Sequence, residues 1–428
     1  MAAVNTVRTA GIAAIAAIGL VASGCAGSAG SSGGGGAGGG DGFEFGASQE
    51  EVDAVLEDLE PVEITYQAGA QSPQSVSARN GHGFKEYVEE RSGGKITVDV
   101  VWGQAIAGYG EIDDALQDGR VDVCYALPIY NPTEHPQFNA LATATAGMPN
   151  SPVVGEMVGN AALVDLAWNS QELLDNYEEQ GLVPLTPMIS TGSYVSVCAD
   201  EGTSLDDMKG RQIRVASVAH ENQVTAMGAS PVSMEYVEVF EALQRGTVDC
   251  TFAQTLPSEE SGLFEVGKHV AYTSEKNSLS GRSAGANLAG TGFKKLPLAY
   301  QQIIFDSQMD GFADSNAVIA EGHARSMVQL VEAGGEISPM AEDTDKKIGE
   351  TNDALFEEIQ ESGIIGTDVR ARTAEAVEKW QGIVAEAGIE DGGGYEDMND
   401  WYVEEDIDFD AIAEQLFQEA ALPHRPGA

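Results

Sequence analysis

EIDDALQDGRVDVCYALP (Glu111–Pro128) and EVFEALQRGTVDCTFAQTLP (Glu238–Pro257) are one phrase written twice. Aligned on their glutamates, the first twelve residues agree at seven places: the Glu, Ala-Leu-Gln, Gly and Val-Asp. Each copy opens with apolar residues at helical spacing, Ile112, Ala115 and Leu116 in one and Val239, Ala242 and Leu243 in the other. Each then meets a glycine, Gly119 or Gly246, where a left-handed helix stop is expected. Alternation follows at once. Val121, Val123, Tyr125 and Leu127 alternate with Asp122, Cys124 and Ala126, and Val248, Cys250, Phe252 and Gln254 with Asp249, Thr251 and Ala253. That period of two predicts short strands. A strand must join a sheet to satisfy its backbone, and the copies start 127 residues apart, too far for a solenoid repeat. The pattern predicts two α/β lobes built on one plan.

The neighbouring segments extend the scheme. VEITYQAG from Val62 and KITVDVVWG from Lys95 read as strands around the helix ARNGHGFKEYVEERSGG, a βαβ opening. GSYVSVCA from Gly192 and RQIRVAS from Arg211 read as strands of the second lobe, followed by the helix HENQVTAMG. Residues 296–333 are helical in composition throughout, interrupted only by Gly311 and Gly322; at 1.5 Å per residue such a helix spans and braces both lobes. The expected division places lobe 1 at 48–190 with 257–295, lobe 2 at 191–256 with 320–365, and a C-terminal helical extension at 366–428.

The front of the chain reads differently. Residues 1–24 carry one positive charge, Arg8, then the apolar run AGIAAIAAIGLVA, the pattern of a secretory signal peptide. Ser23 and Gly24 before Cys25 fit a lipoprotein cleavage box, although Ala22 stands where leucine is more usual. The expected product is acylated on Cys25 and held by a Gly/Ser-rich tether, residues 25–47. That predicts a lipid-anchored domain outside the cytoplasm, in the periplasm or on the outer face of the cytoplasmic membrane.

Of the 428 residues, 43% are hydrophobic, enough for the cores of both lobes. The net charge of −46 excludes nucleic acid as a partner, because phosphate demands the opposite sign. Beyond Cys25 three cysteines remain, so at most one internal disulfide can form; Cys124 and Cys250, in apolar strand-like runs, read as buried thiols. Six scattered histidines and no paired cysteine spacing predict neither metal nor cofactor. GRSAG at Gly281–Gly285 matches a hydrolase nucleophile elbow, yet in a chain with 51 glycines it is a chance match without the strand and helix that frame an elbow. DIDFD at Asp406–Asp410 opens like a calcium loop, but Ala411 replaces the required glycine, so it reads as an acidic helix start.

From Leu205 to Asp249 the elements Lys209-Gly210, Ile213-Arg214-Val215, Gly228-Ala229-Ser230-Pro231-Val232, Glu238-Val239-Phe240, Ala242-Leu243-Gln244 and Gly246 with Val248-Asp249 occur in series. This series resembles the signature of the solute-binding proteins of tripartite ATP-independent periplasmic (TRAP) transporters, the dicarboxylate-binding type. The likeness covers about residues 62–335. It implies a two-lobed periplasmic-binding-protein fold, no enzymatic activity, a small organic acid in the interlobe cleft, and membrane permease subunits as partners. It also implies that Arg214 grips the ligand carboxylate, a role for which the flat guanidinium fork is suited. Arg214 ends a strand and precedes a helix whose free N–H groups are expected to face the same cleft. Where relatives carry a site asparagine this chain has Ala253, with Gln254 as the substitute, and Tyr194 stands where sialic-type sugar-acid binders have a second arginine. Trp102, Gln104, Tyr125, Tyr194 and Phe252 are the remaining candidate contacts, mostly aromatic and suited to a partly apolar carboxylate.

A chain with 68 acidic and 22 basic residues repels itself in dilute buffer, and screening relieves that repulsion. The melting temperature is therefore expected to rise between dilute buffer and molar salt in a thermal melt. A flat dependence would remove the assignment of a salt-adapted surface.

Overall fold

The computed structural model describes residues 40–279 and 281–428; the expected leader, Cys25 and most of the tether lie outside them. Eleven strands run through the described chain. They are β1 Val62–Gln67, β2 Ile96–Val101, β3 Val123–Ala126, β4 Val183–Ser190, β5 Tyr194–Cys198 and β6 Gln212–Val215. Then come β7 Ser230–Ser233, β8 Cys250–Gln254, β9 His269–Tyr272, β10 Ser283–Ala289 and β11 Glu336–Pro339. They form two sheets, ordered β2-β1-β3-β10-β4 and β11-β9-β5-β8-β6-β7.

The repeated phrase sits at the same place in both. Helix Ile112–Asp118 ends on left-handed Gly119 (φ 80°) and leads into β3; helix Val239–Gln244 is followed by left-handed Gly246 (φ 66°) and leads into β8. The repeated Val-Asp has one task in each copy. Asp122 accepts the Thr65 N–H through Oδ2 at 2.8 Å and returns its own N–H to the Thr65 carbonyl at 3.1 Å. Asp249 does the same to Gln212, at 2.6 and 2.8 Å. Each aspartate thereby fixes the register of a parallel pair, β1 with β3 and β6 with β8.

The sheets exchange strands, and the exchanged strands are the antiparallel ones. The chain leaves β4 in the first sheet and enters β5 in the second, antiparallel to β8; it leaves β9 in the second and enters β10 in the first, antiparallel to β3. Residues 257–295 therefore serve both lobes, since β9 belongs to the second sheet, whereas the sequence division placed all of them in lobe 1.

The long brace is present but broken. Helix Leu298–Asp306 stops at Ser307, and helix Gln308–Glu332 carries on. The interruption falls at neither glycine. Ser307 Oγ donates to the Ile304 carbonyl at 2.7 Å, a side-chain bond that competes with the helical ladder. Gln308 Oε1 accepts from Thr186 and Asn287 of the first sheet, and at the far end Ser326 Oγ and Gln329 Nε2 donate to the carbonyls of Thr255 and Glu259 beyond β8. A second helix, Glu342–Ser362, does likewise: Ile348 packs in the second lobe, Phe356 and Ile359 in the first. Residues 320–365 thus join the lobes instead of belonging to lobe 2 alone.

One further expectation is corrected, at the front of the chain. The stretch read as tether is packed from Phe43 onward, with the Arg425 guanidinium 4.9 Å over its ring and bonded to its carbonyl. The C-terminal extension is structural. Its helix Val369–Glu386 buries Trp380, whose Nε1–H donates to Asp165 at 2.9 Å, and Phe409–Leu416 closes the same core. Asp408, from the calcium-loop lookalike, caps that last helix by accepting from the Ala411 N–H.

Cys250 is not a free thiol: it is bonded to Cys198, directly opposite it in the β5–β8 register. Cys124 remains a buried thiol. The bridge spans 52 residues of sequence, a loop for which closure entropy gives about 4 kcal/mol. Paired Cys198→Ala and Cys250→Ala substitution is expected to lower unfolding free energy by that amount in a denaturant titration; stability equal to the parent would show that the bridge adds nothing.

Candidate functional site

A cavity of about 400 Å³ lies between the sheets. The first lobe contributes Tyr66, Tyr109, Tyr125 and Tyr130, the second Tyr194, Arg214 and Tyr236, and the brace helix Gln308, Ser315, Val318 and Ile319. Six of the chain's 12 tyrosines line it, so the walls are rings with few polar tips, a surface for an organic body. Burial pushes the phenols of Tyr66, Tyr109, Tyr125, Tyr194 and Tyr236 upward. They stay neutral at ordinary pH and add no charge to the site.

Arg214 is the one cation in this lining and is 1% exposed. Its position on β6, between β7 and β8, fixes the backbone, and carbonyls fix the head. Nε donates to Met234 O at 3.0 Å, Nη1 to Phe252 O at 3.3 Å and Nη2 to Tyr130 Oη at 3.2 Å, while the Tyr236 ring lies 5.6 Å from the guanidinium carbon. Every one of these partners is neutral. Among the described residues no carboxylate forms an ion pair with Arg214, in contrast to buried Arg282, which pairs with Glu156. A desolvated charge without a counter-ion is costly, and an anionic ligand relieves that cost.

The structure brings five of the seven expected contacts to the cavity: Arg214, Tyr194, Gln254, Gln104 and Tyr125. Gln104 adopts φ 58°, the one non-glycine residue with positive φ among those described, and strain of this kind gathers at binding sites. Tyr125 is wedged between two glycines: a Cβ at Gly69 or Gly285 would fall 2.7 or 2.5 Å from its ring. Gly285 closes the GRSAG run, which leads into strand β10 at Ser283 and forms no elbow; Ser283 Oγ donates to the Ile189 carbonyl.

Two expected contacts lie elsewhere. Trp102 rests against Gly81 and the His82 ring. Phe252 is buried beside His220 and meets the site only through its carbonyl. The helix after β6, Val218–Ala226, adds no residue to the lining and is capped by its own Ser217, so its N-terminus is no anion site here. Sequence reasoning missed Tyr130 and Tyr236. Tyr130 reaches across the cleft, its hydroxyl accepting from Arg214 and from the Tyr236 N–H at 3.2 Å. The signal was adjacency, since Tyr130 follows the first repeated phrase by two residues and Tyr236 precedes the second by two.

The family model for "bacterial extracellular solute-binding protein, family 7" matches residues 66–362. The chain belongs to this family. Among curated proteins, a "solute-binding protein" of Verminephrobacter eiseniae is 24% identical over 61% of this chain and 78% of its own. An uncharacterized protein of Sinorhizobium fredii is 23% identical over 50% of this chain, which spans only 38% of that longer relative. Solved TRAP solute-binding proteins share the fold. One from a marine metagenome, with co-purified pyroglutamate, superposes with TM-score 0.63 at 18% identity over 75% of this chain and 100% of its own. One from Rhodoferax ferrireducens, with copurified benzoate, gives 0.64 at 18% over 76% and 99%. A sugar acid binding protein from Advenella mimigardefordensis, with galactonate, gives 0.64 at 19% over 76% and 100%. The two-lobed architecture is that of these periplasmic binding proteins.

The lobes of this solute-binding protein are joined beneath the cavity by a buried ionic knot. Arg282, just before β10, donates to Glu156 at 2.6 Å and to Ser193, between β4 and β5, at 2.8 Å. Glu156 also accepts from the Ser193 N–H, and His323 of the brace lies 3.4 Å away while bonding Thr255. Gln254 is committed to the same junction, accepting from Thr191 and donating to the carbonyls of Gly192 and Arg282. Its amide therefore ties the crossovers together while one edge faces the cavity.

Burial works to raise the Glu156 carboxyl, but the charge of Arg282, with His323 and Ser193, holds it at about 2. Its folded value lies below the ordinary 4.5, so its contribution is full above about pH 4.5 and fades as pH falls toward 2. Glu156→Gln is expected to cost about 3–5 kcal/mol at pH 7 by leaving Arg282 unpaired. The gap from the parent should shrink on acidification in pH-resolved chemical denaturation; a constant gap would contradict an ionised Glu156.

Proposed function

We propose that this family member is an extracytoplasmic receptor that closes its lobes over a small organic acid, with Arg214 holding the carboxylate, and delivers it to the permease subunits of a TRAP-type transporter. One observation carries the reading: a fully buried guanidinium with neutral partners faces a cavity between two lobes. The guanidinium can turn two parallel donors to a carboxylate; among its present contacts the Tyr130 hydroxyl is the one a ligand oxygen would replace or share. The tyrosine walls favour a partly apolar body, and the acids bound by the matched structures, pyroglutamate and benzoate among them, are of that size. With an anion-repelling surface all round, Arg214 is the one positive point the cavity offers an anion.

The same reading takes the protein as a carrier and not an enzyme, in keeping with its membership of a solute-binding family. Export by the leader, acylation of Cys25 and tethering to the membrane are read from the sequence pattern of residues 1–42, and adaptation of the acidic surface to concentrated salt from the net charge of −46. Beneath such an anchor the lobes would open, capture and close, with the brace opposing or restoring the movement.

Arg214→Ala should weaken carboxylate binding by about 2–3 kcal/mol, roughly thirty- to a hundred-and-fiftyfold. Calorimetric titration with acids first found by thermal shift is the measurement. Unchanged affinity in the mutant would reject the assignment of Arg214.

A further inference from the structure

We infer that the cavity selects singly charged acids bearing a hydrogen-bond donor and rejects dicarboxylates, and that Glu260 sets this selectivity; the inference rests on the carboxylate reading above. The lining holds one cation, Arg214, and two carboxylates, Glu235 exposed at the rim and Glu260 partly buried within. Arg214 engages carbonyls and Tyr130, while Glu260 engages Ser77, so the two are separate poles and do not neutralise one another.

Glu260 is held firmly. It follows β8 on helix Thr255–Glu260, and it reaches across the cleft to the start of helix Ala78–Arg91. There Oε1 accepts the Ser77 N–H at 2.8 Å and Oε2 the Ser77 hydroxyl at 2.9 Å. The nearby cation Arg325 is engaged with Glu259 at 2.8 Å. Burial, with Glu259 adding to it, pushes the Glu260 carboxyl upward against the Ser77 bonds and Arg325. One carboxylate of a ligand can use Arg214. A second would face this fixed like charge in a desolvated space with no other cation in the lining, and repulsion of that kind discriminates between ligands more strongly than attraction.

A neutral or positive donor meets the opposite situation. Asn80, three residues after Ser77 and also in the lining, has its Oδ1 buried without a hydrogen-bond partner. An unpaired buried acceptor carries a penalty that a ligand hydroxyl, amide or ammonium removes. The ligand so described has a carboxylate for Arg214 and a donor for the Asn80–Glu260 side.

Matched acids on one skeleton test this on the full chain: succinate with succinamate, isophthalate with 3-hydroxybenzoate, glutarate with 5-hydroxypentanoate. Calorimetry should find, in the pair that binds best, at least a tenfold preference for the single acid. Glu260→Gln, checked for folding by its melting curve, should cut that preference at least threefold by tightening the diacid. Equal or better binding of the diacid by the parent protein overturns the inference without any variant and leaves the carboxylate reading standing. An unchanged preference in Glu260→Gln overturns the role of that residue. If no acid of either kind binds, the carboxylate reading fails and this inference falls with it.

Discussion

The contact on which the two lobes depend is the Glu156–Arg282 ion pair, each side chain 3% exposed. Burying both charges is tolerable only because nearly every donor and acceptor around them is used, and the groups that use them come from separate crossings of the chain. Three crossings meet here, Ser193 on the β4–β5 crossing, Arg282 on the β9–β10 crossing and His323 on the brace, while helix Glu342–Ser362 crosses elsewhere. A pair that satisfies itself this fully cannot be rearranged piecemeal. It gives the junction one geometry, and from that junction Gln254 and Tyr194 reach the cavity wall.

The second buried guanidinium has the opposite character. Arg282 has its anion; Arg214 has carbonyls, a phenol and an aromatic face. In the proposed reading Arg282, saturated, and Arg214, without an anion, separate the work of keeping shape from the work of binding. On that reading, the cavity's selectivity comes from what surrounds Arg214. Phenol rings supply area without charge, and carboxylates stand apart from the cation instead of against it.

Much of this was legible in the sequence, and the exceptions have physical causes. The repeated phrase located β3 and β8 and the plan of both sheets, because glycine stops and period-two alternation are local signals. That Asp122 and Asp249 each hold a neighbouring strand could not be read locally, since their partners Thr65 and Gln212 lie 57 and 37 residues away. The same holds for Cys198 and Cys250, opposite each other only once β5 and β8 pair. Alternation put Phe252 and Gln254 on one face of β8, but not which part of that face helix Val218–Ala226 covers, and so Phe252 was misplaced. The lobe division failed where strands and helices are shared: β9 and the helix Glu342–Ser362 obey tertiary packing, not chain order. Arg214 could be placed at the cavity because its motif is chemical; Tyr130 was missed because it lies on the opposite lobe, and Glu260 because its partner Ser77 is 183 residues away.

The bond between Cys198 and Cys250 has a consequence for where this molecule can mature. Thiols of this kind stay reduced in a cytosol buffered by glutathione and oxidise outside it. A chain produced without export would pair β5 and β8 by backbone bonds alone, so material made in a reducing cell interior and material made beyond it are chemically distinct products of one gene.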